Sequence, residues 1–321
     1  MNLRWLLLAV PPLASLLAGC VQPPPEPRTA VALEQLLAEH NAPASRIDKL
    51  WANASISVWL NAEGRNVAWT FSSGTLLMGK GPDKLGPHYF VLMAREAGTP
   101  VFQLGSNLDQ NVYYFWARYG DRGQLWRGRL DLAGAPGVDI PVDPTQVPAV
   151  LGVLELPSDL TRIPTVALTM QPPSPVLRGP WVVDYTPYAY ALTYIDRQPV
   201  SNKIMFKREI LVRRSDAEPR LPYQINFIDP QGRRVMIASL RNYKPIDMGP
   251  DADKSQAAVL MPTDIDIAWP AKNSRLRIVL SDMTTTKGDP VEGSRFDPPA
   301  GLPETRVDEF VAAPAAVGGA K

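Results

Sequence analysis

The chain has 321 residues, with 33 Lys+Arg against 32 Asp+Glu, 34 Pro, two His and one Cys. Cys20, His40 and His88 are too few for a disulfide framework or a Cys/His metal cluster, and the balanced charge lacks the basic excess that a nucleic-acid partner requires. Proline at about twice average usage argues against a mostly helical chain, while 45% hydrophobic residues still suffice for a core.

Residues 1–19 read as a secretory signal. Arg4 supplies a short positive region, and the apolar stretch Trp5 to Leu17 is shorter than the ~20 residues a membrane helix needs. It ends in Leu17-Ala18-Gly19-Cys20, which closely resembles the bacterial lipobox. That resemblance implies a diacylglycerol thioether on Cys20 and cleavage before it, leaving 302 residues whose 32 basic and 32 acidic side chains cancel. Val21, which is not Asp, matches the outer-membrane sorting signal. The expected location is the cell envelope, lipid-anchored and facing the periplasm. Residues 20–29, with Pro23, Pro24, Pro25 and Pro27, are expected to form an extended stalk with little to pack. Residues 30–310 are expected to form a single domain, and 311–321, rich in Ala and Gly, a disordered tail.

Leu33, Leu36 and Leu37 share one face of a helix over Ala30 to His40, and Ile47, Leu50 and Trp51 suggest a second over Ala44 to Trp51. The period then changes to two. Strands are predicted at Ser55–Leu60, Ala68–Met78, His88–Arg95, Pro100–Leu104, Val112–Tyr119 and Leu125–Leu130, with turn residues between them. Asp143 to Leu154 reads as a short helix and loop with an apolar face. Pro157 to Pro187 reads as an irregular excursion. A second block of strands follows at Tyr190–Arg197, Lys203–Arg214, Pro222–Ile228, Arg233–Tyr243, Ala257–Trp269 and Arg275–Thr285. About 11–12 strands so apolar on both faces predict a mainly β domain. Its strongly curved antiparallel sheet should be covered by helices or loops.

The closing segment is the distinctive one. Leu260-Met-Pro-Thr-Asp-Ile-Asp-Ile-Ala-Trp269, then Ser274-Arg-Leu-Arg-Ile-Val-Leu-Ser-Asp-Met283, then Phe296-Asp-Pro-Pro299 resembles the C-terminal end of the LolA/LolB-like lipoprotein-localisation family. Tyr223-Gln-Ile-Asn-Phe-Ile-Asp-Pro-Gln-Gly232 resembles the strand-turn-strand that feeds it. The resemblance implies an unclosed half-barrel with a helical lid over an apolar cavity that holds a lipid or a lipoprotein acyl chain.

No catalytic motif stands out: the chain has no Gly-x-Ser-x-Gly, His-Glu-x-x-His or Walker loop, and no cofactor is implied. His88 opens a strand and reads as a structural or surface histidine. Asp264 and Asp266 share a strand face opposite Ile265 and Ile267 and read as a solvated outer face. The aromatic residues carry the functional expectation. Trp59, Trp69, Phe71, Phe90, Phe115 and Trp116 are candidates to line an acyl-chain cavity, against the alternative of an ordinary filled core. Arg118, Arg127 and Arg129 are candidates to meet a headgroup. A lipid-binding or lipid-trafficking lipoprotein is therefore expected. The alternative is a structural or assembly lipoprotein that uses the same fold as a platform for an envelope protein partner.

Overall fold

The period-two segments pair into one open sheet of fourteen strands. The structure is a computed structural model and describes residues 23–62, 65–119, 122–135, 140–177, 183–198, 201–216, 219–253, 255–287 and 293–309. The signal segment, Cys20 and the tail from 310 lie outside the described residues. A helix α1 (Leu33–Ala44) precedes six strands: β1 (Lys49–Ala62), β2 (Arg65–Gly79), β3 (Tyr89–Glu96), β4 (Thr99–Asn107), β5 (Val112–Tyr119) and β6 (Arg122–Arg129). A 3-10 turn (Pro144–Gln146) and the one-turn helix α2 (Val147–Val150) interrupt them. The second block holds β7 (Thr165–Gln171), β8 (Pro175–Leu177), β9 (Val183–Tyr185), β10 (Ala189–Arg197), β11 (Ile204–Arg213), β12 (Pro222–Ile228), β13 (Arg234–Pro245), β14 (Leu260–Trp269) and β15 (Ser274–Thr284). A last short strand, β16 (Glu304–Arg306), follows.

The strand order is β16-β6-β5-β4-β3-β2-β1-β15-β14-β13-β12-β11-β10-β7, with β8 and β9 forming a separate hairpin. Each block is thus an antiparallel meander. The first and last long strands, β1 and β15, pair at the centre and join the two wings, with Ile56 opposite Ile278. β7 and β16 are the edges, and β16 runs parallel to β6.

Alternation explains the faces. On β1, Ala52, Ala54, Ile56, Val58 and Leu60 are buried, while Ser55, Ser57 and Trp59 face the other way. On β15, Leu276, Ile278 and Leu280 point inward and Arg275, Arg277 and Val279 outward. The inward residues of both wings belong to one apolar cluster. The first wing is also covered on its outer face. There Tyr114, Trp116 and Leu125 form a second cluster with Leu302 from the C-terminal segment. Asn107 Nδ2 donates to Gly293 O and Asp297 Oδ1, which holds that segment in place. The doubly apolar strands of the first block are therefore buried on both sides.

Several elements depart from the sequence expectation. The helix expected over Ala44 to Trp51 does not form: Lys49 already enters β1, where Leu50 pairs with Met78, and sheet pairing outweighs the local helical spacing. The excursion after Pro157 contains β7, which pairs with β10 at the sheet edge. The Pro-rich segment is tied down by its polar neighbours. Glu26 pairs with Arg214 at 2.7 Å, Thr29 Oγ1 donates to Asp216 Oδ1 at 2.7 Å, and Val31 N donates to the Tyr190 hydroxyl at 2.9 Å.

Candidate functional site

The concave face is closed by the segment 140–156. Ile140, Val142, Val147, Val150, Leu151, Val153 and Leu156 of this segment are buried in the main cluster, as are Leu36 and Leu37 of α1. Only α2 and a 3-10 turn are helical here, so most of the cover is turns and irregular chain rather than helix. Several polar contacts fasten it, among them Lys272 Nζ to the Ile140 carbonyl. Asn41 Nδ2 donates to Leu156 O at 2.8 Å while its Oδ1 accepts from Leu156 N at 2.7 Å. His40 Nε2 donates to Leu154 O at 2.9 Å, and Trp269 Nε1 to Gln146 Oε1 at 3.1 Å.

The six candidate aromatics divide between the two faces. Trp69, Phe71, Phe90 and Phe115 lie on the concave face within or against the main cluster. Phe71, Phe102, Phe115 and Trp126 form a row of rings with centroid spacings of 6.3, 5.6 and 5.1 Å across β2, β4, β5 and β6. Phe102 and Trp126 belong to this row although they were not among the sequence candidates. Trp59 and Trp116 lie on the outer face, because each sits one residue out of phase with an inward neighbour, Val58 and Phe115. Arg275 stacks over the Trp59 ring at 5.1 Å, and Trp116 packs with Tyr114 and Leu125. Phe90 and Phe115 are fully buried by other side chains, so the ring row sits in a filled interior.

The outer face of the second wing is ionic. Arg277 donates from Nε to Asp264 at 3.0 Å, Arg275 from Nε to Asp266 at 2.7 Å, and Arg241 reaches both carboxylates. The hydrogen bonds from Arg275 hold Asp266 below the usual carboxylate range. This pair of acids is covered by arginines rather than freely solvated, and Asp264 is only 7% exposed. Two of the headgroup candidates are also engaged within the chain: Arg127 with Glu304 at 3.6 Å and Arg129 with Asp131. Arg118 is exposed on β5.

A cavity of about 190 Å³ opens where the two wings meet the cover. His88 and Ser106 line it from one wing, Tyr194, Arg208 and Phe227 from the other, and Pro148 and Leu154 from the cover. β3 and β11 stand fifth and twelfth in the strand order. In a flat sheet that separates them by roughly 34 Å at about 4.8 Å per strand, so their sharing one cavity measures how far the sheet curls. The lining is amphipathic. Lys207 pairs with Asp196 at 2.7 Å, and Lys84 and Lys80 pair with Glu155 at 3.1 and 3.4 Å. The Arg208 guanidinium lies 4.4 Å over the Tyr194 ring, and burial raises the Tyr194 hydroxyl to about 12. His88 Nδ1 accepts from the Gly81 N–H at 3.1 Å, and burial first, then nearby Lys80 and Arg208, lowers its pKa to about 4. Of these residues the sequence singled out only His88, and as structural. No local motif marks the others, because residues from opposite wings meet only once the sheet curls.

A second cavity, of about 440 Å³, lies at the other end of β11 among Arg213, Tyr223, Leu240, Arg241 and Tyr243.

No family model matches the chain, and no curated protein does. Among solved structures the chain is similar to a DUF1329 family protein from Desulfovibrio piger, with TM-score 0.47 and 13% identity over 82% of this chain and 95% of that one. It is also similar to a LolA superfamily protein from Nitrosomonas europaea, with TM-score 0.41 and 15% identity over 84% and 99% of the two chains. A Vibrio parahaemolyticus domain that bears the name of an outer membrane lipoprotein-sorting protein gives 0.43 and 10% over 82% and 97%.

Proposed function

We propose that this protein is a lipid-anchored envelope protein that binds the apolar chain of a lipid or lipidated protein between its curved sheet and the cover at 140–156. The observation that carries the reading is the construction of the interior. One apolar surface from both wings is closed by a short segment with little regular structure, with a cavity at its margin. The proposed ligand enters at that margin and takes the volume now filled by Val147, Val150, Leu151 and Val153. Exposing four such side chains costs about 6–12 kcal/mol, and burying a sixteen-carbon chain at ~0.8 kcal/mol per CH₂ returns about 12. Exchange of cover for ligand is therefore close to neutral, as reversible loading requires. Trp69, Phe71, Phe90 and Phe115 would form the floor beneath the chain. Binding uses apolar burial, which is non-directional, and assigns no catalytic step.

Lipidation of Cys20, with the domain facing the periplasm at the outer membrane, belongs to the same proposal and rests on the lipobox-like signal and Val21. Inhibition of the lipoprotein signal peptidase should leave a precursor about nineteen residues longer, and unchanged processing would overturn the anchor.

A second reading is favoured by the full burial of Phe90, Phe102 and Phe115: the domain is a platform for an envelope protein partner with its own side chains as a permanent core. Native mass spectrometry of the Cys20→Ser chain separates the two. A co-purifying amphiphile that dissociates on activation is expected. A bare chain that also takes up no added fatty acid assigns the platform role.

A further inference from the structure

The cavity at the cover's margin is equipped for more than an alkyl chain. Among the described residues the Arg208 side chain makes no hydrogen bond and no ion pair; its guanidinium lies over the Tyr194 ring. Its Nε is buried without an acceptor. The neighbouring carboxylates are bonded elsewhere, Asp196 to Lys207 and Glu155 to Lys80 and Lys84, and Asp196 favours the Arg208 cation only from a distance. His88 is the second case. It is 4% exposed, and because its Nδ1 accepts from a backbone N–H, the ring proton sits on Nε2. That Nε2 also has no partner. Two donor nitrogens, both buried and without an acceptor, thus come from residues of opposite wings that line one cavity, and one of them belongs to a cation that no carboxylate contacts. Buried donors in folded proteins are nearly always paired, and a buried unpaired charge is costly to keep. The cavity of about 190 Å³ holds many times the ~10–15 Å³ that one water needs but falls below the ~300 Å³ of a small-molecule site, so it suits a small polar group and not a whole lipid.

We propose that Arg208 and His88 form an anion-binding site for a carboxylate or phosphate group. The planar guanidinium would take two oxygens in parallel and the imidazole Nε2–H a third contact. Leu154, Pro148 and Phe227, which share the cavity, leave the anion's apolar remainder facing the margin of the cover. This deepens the lipid-binding reading by naming the ligand as an anionic amphiphile, and rests on that reading for the chain but not for the anion.

The test titrates the Cys20→Ser chain with dodecyl phosphate, dodecanoate, dodecanol and inorganic phosphate, and repeats the series with Arg208→Gln and Arg208→Lys. The two anionic amphiphiles are expected to bind at least about tenfold more tightly than dodecanol, the order of one charge-assisted pair. Arg208→Gln should abolish that preference and leave dodecanol affinity unchanged, while Arg208→Lys keeps part of it. Equal binding of dodecanol and dodecanoate by the parent chain refutes the anion site and leaves the acyl-chain reading standing. An Arg208→Gln chain that keeps the preference refutes the site as well. If no amphiphile binds but phosphate raises the melting temperature in an Arg208-dependent way, the site stands, its ligand is a free anion, and the acyl-chain reading fails. Ligand-free Arg208→Gln should melt close to the parent temperature, since the side chain it replaces makes no hydrogen bond or ion pair. If it fails to fold, a weakened anion preference in Arg208→Lys and in His88→Gln supports the site, and an undiminished preference in both refutes it.

Discussion

The His88 imidazole sits at about pKa 4 in the folded chain, mainly through burial, and returns to ~6.5 when exposed. Between these values the unfolded state binds more protons, so stability is complete above the unfolded pKa and falls as pH drops through 6.5 toward 4. From pH 7.5 to 4.5 the loss from this residue is on the order of 2–3 kcal/mol. Urea unfolding should show His88→Gln losing that much less than the parent chain over the same interval. Equal losses would falsify the assignment. Gly105 gives a steric prediction. A Cβ there would lie 2.5 Å from the Phe90 carbonyl oxygen and 2.7 Å from the Tyr114 hydroxyl. Gly105→Ala should destabilise by about 1–3 kcal/mol in chemical denaturation. Face assignment, too, is decided residue by residue. On β1 the small polar Ser55 and Ser57 mark the outer phase, and Trp59 shares it, so its position was readable. On β5 every residue from Val112 to Ala117 is buried. No polar residue marks the phase there, and nothing local told Phe115 from Trp116.

Elements with a clean two-residue period were legible nearly to their ends. β5 and β12 keep the expected bounds, and β10, β11 and β15 shift by one residue at one or both ends. What escaped was set by partners remote in sequence. β7 becomes a strand because β10 offers an edge, and β16 because β6 does. The segment over Ala44 to Trp51 has helical spacing yet gives way to pairing with β2. The cover yields a prediction at this scale. Asn41 imitates a backbone group by donating to and accepting from Leu156 at once. Asn41→Ala removes both bonds, worth about 1–2 kcal/mol together. Amide exchange over 147–156 should quicken by about tenfold while the β1–β15 strands stay protected. Unchanged exchange in the cover would show that its apolar residues alone hold it.

The whole molecule hinges on the β1–β15 seam, which joins residues more than two hundred positions apart. One apolar cluster crosses it, so the wings have no separate cores. Tryptophan fluorescence and far-ultraviolet circular dichroism should therefore report one coincident unfolding transition. Ile278→Ala, at the centre of the seam, should lower stability by about 2–5 kcal/mol without splitting that transition. Two separated transitions would show wings that fold alone. The candidate site is visible only at this scale. The strand that carries Arg208 and the strand that His88 leads into were legible one by one, whereas the meeting of the two residues depends on the curl of fourteen strands. The tie between Glu26 and Arg214 has a consequence of its own. Glu26 lies six residues beyond Cys20, and an extended chain advances at most ~3.3–3.6 Å per residue, so the knot sits no more than about 20 Å from the proposed anchor. If Cys20 carries the proposed lipid, the domain would be held within that reach of the membrane surface. A domain so tethered would work at the membrane that holds it and would not cross to another.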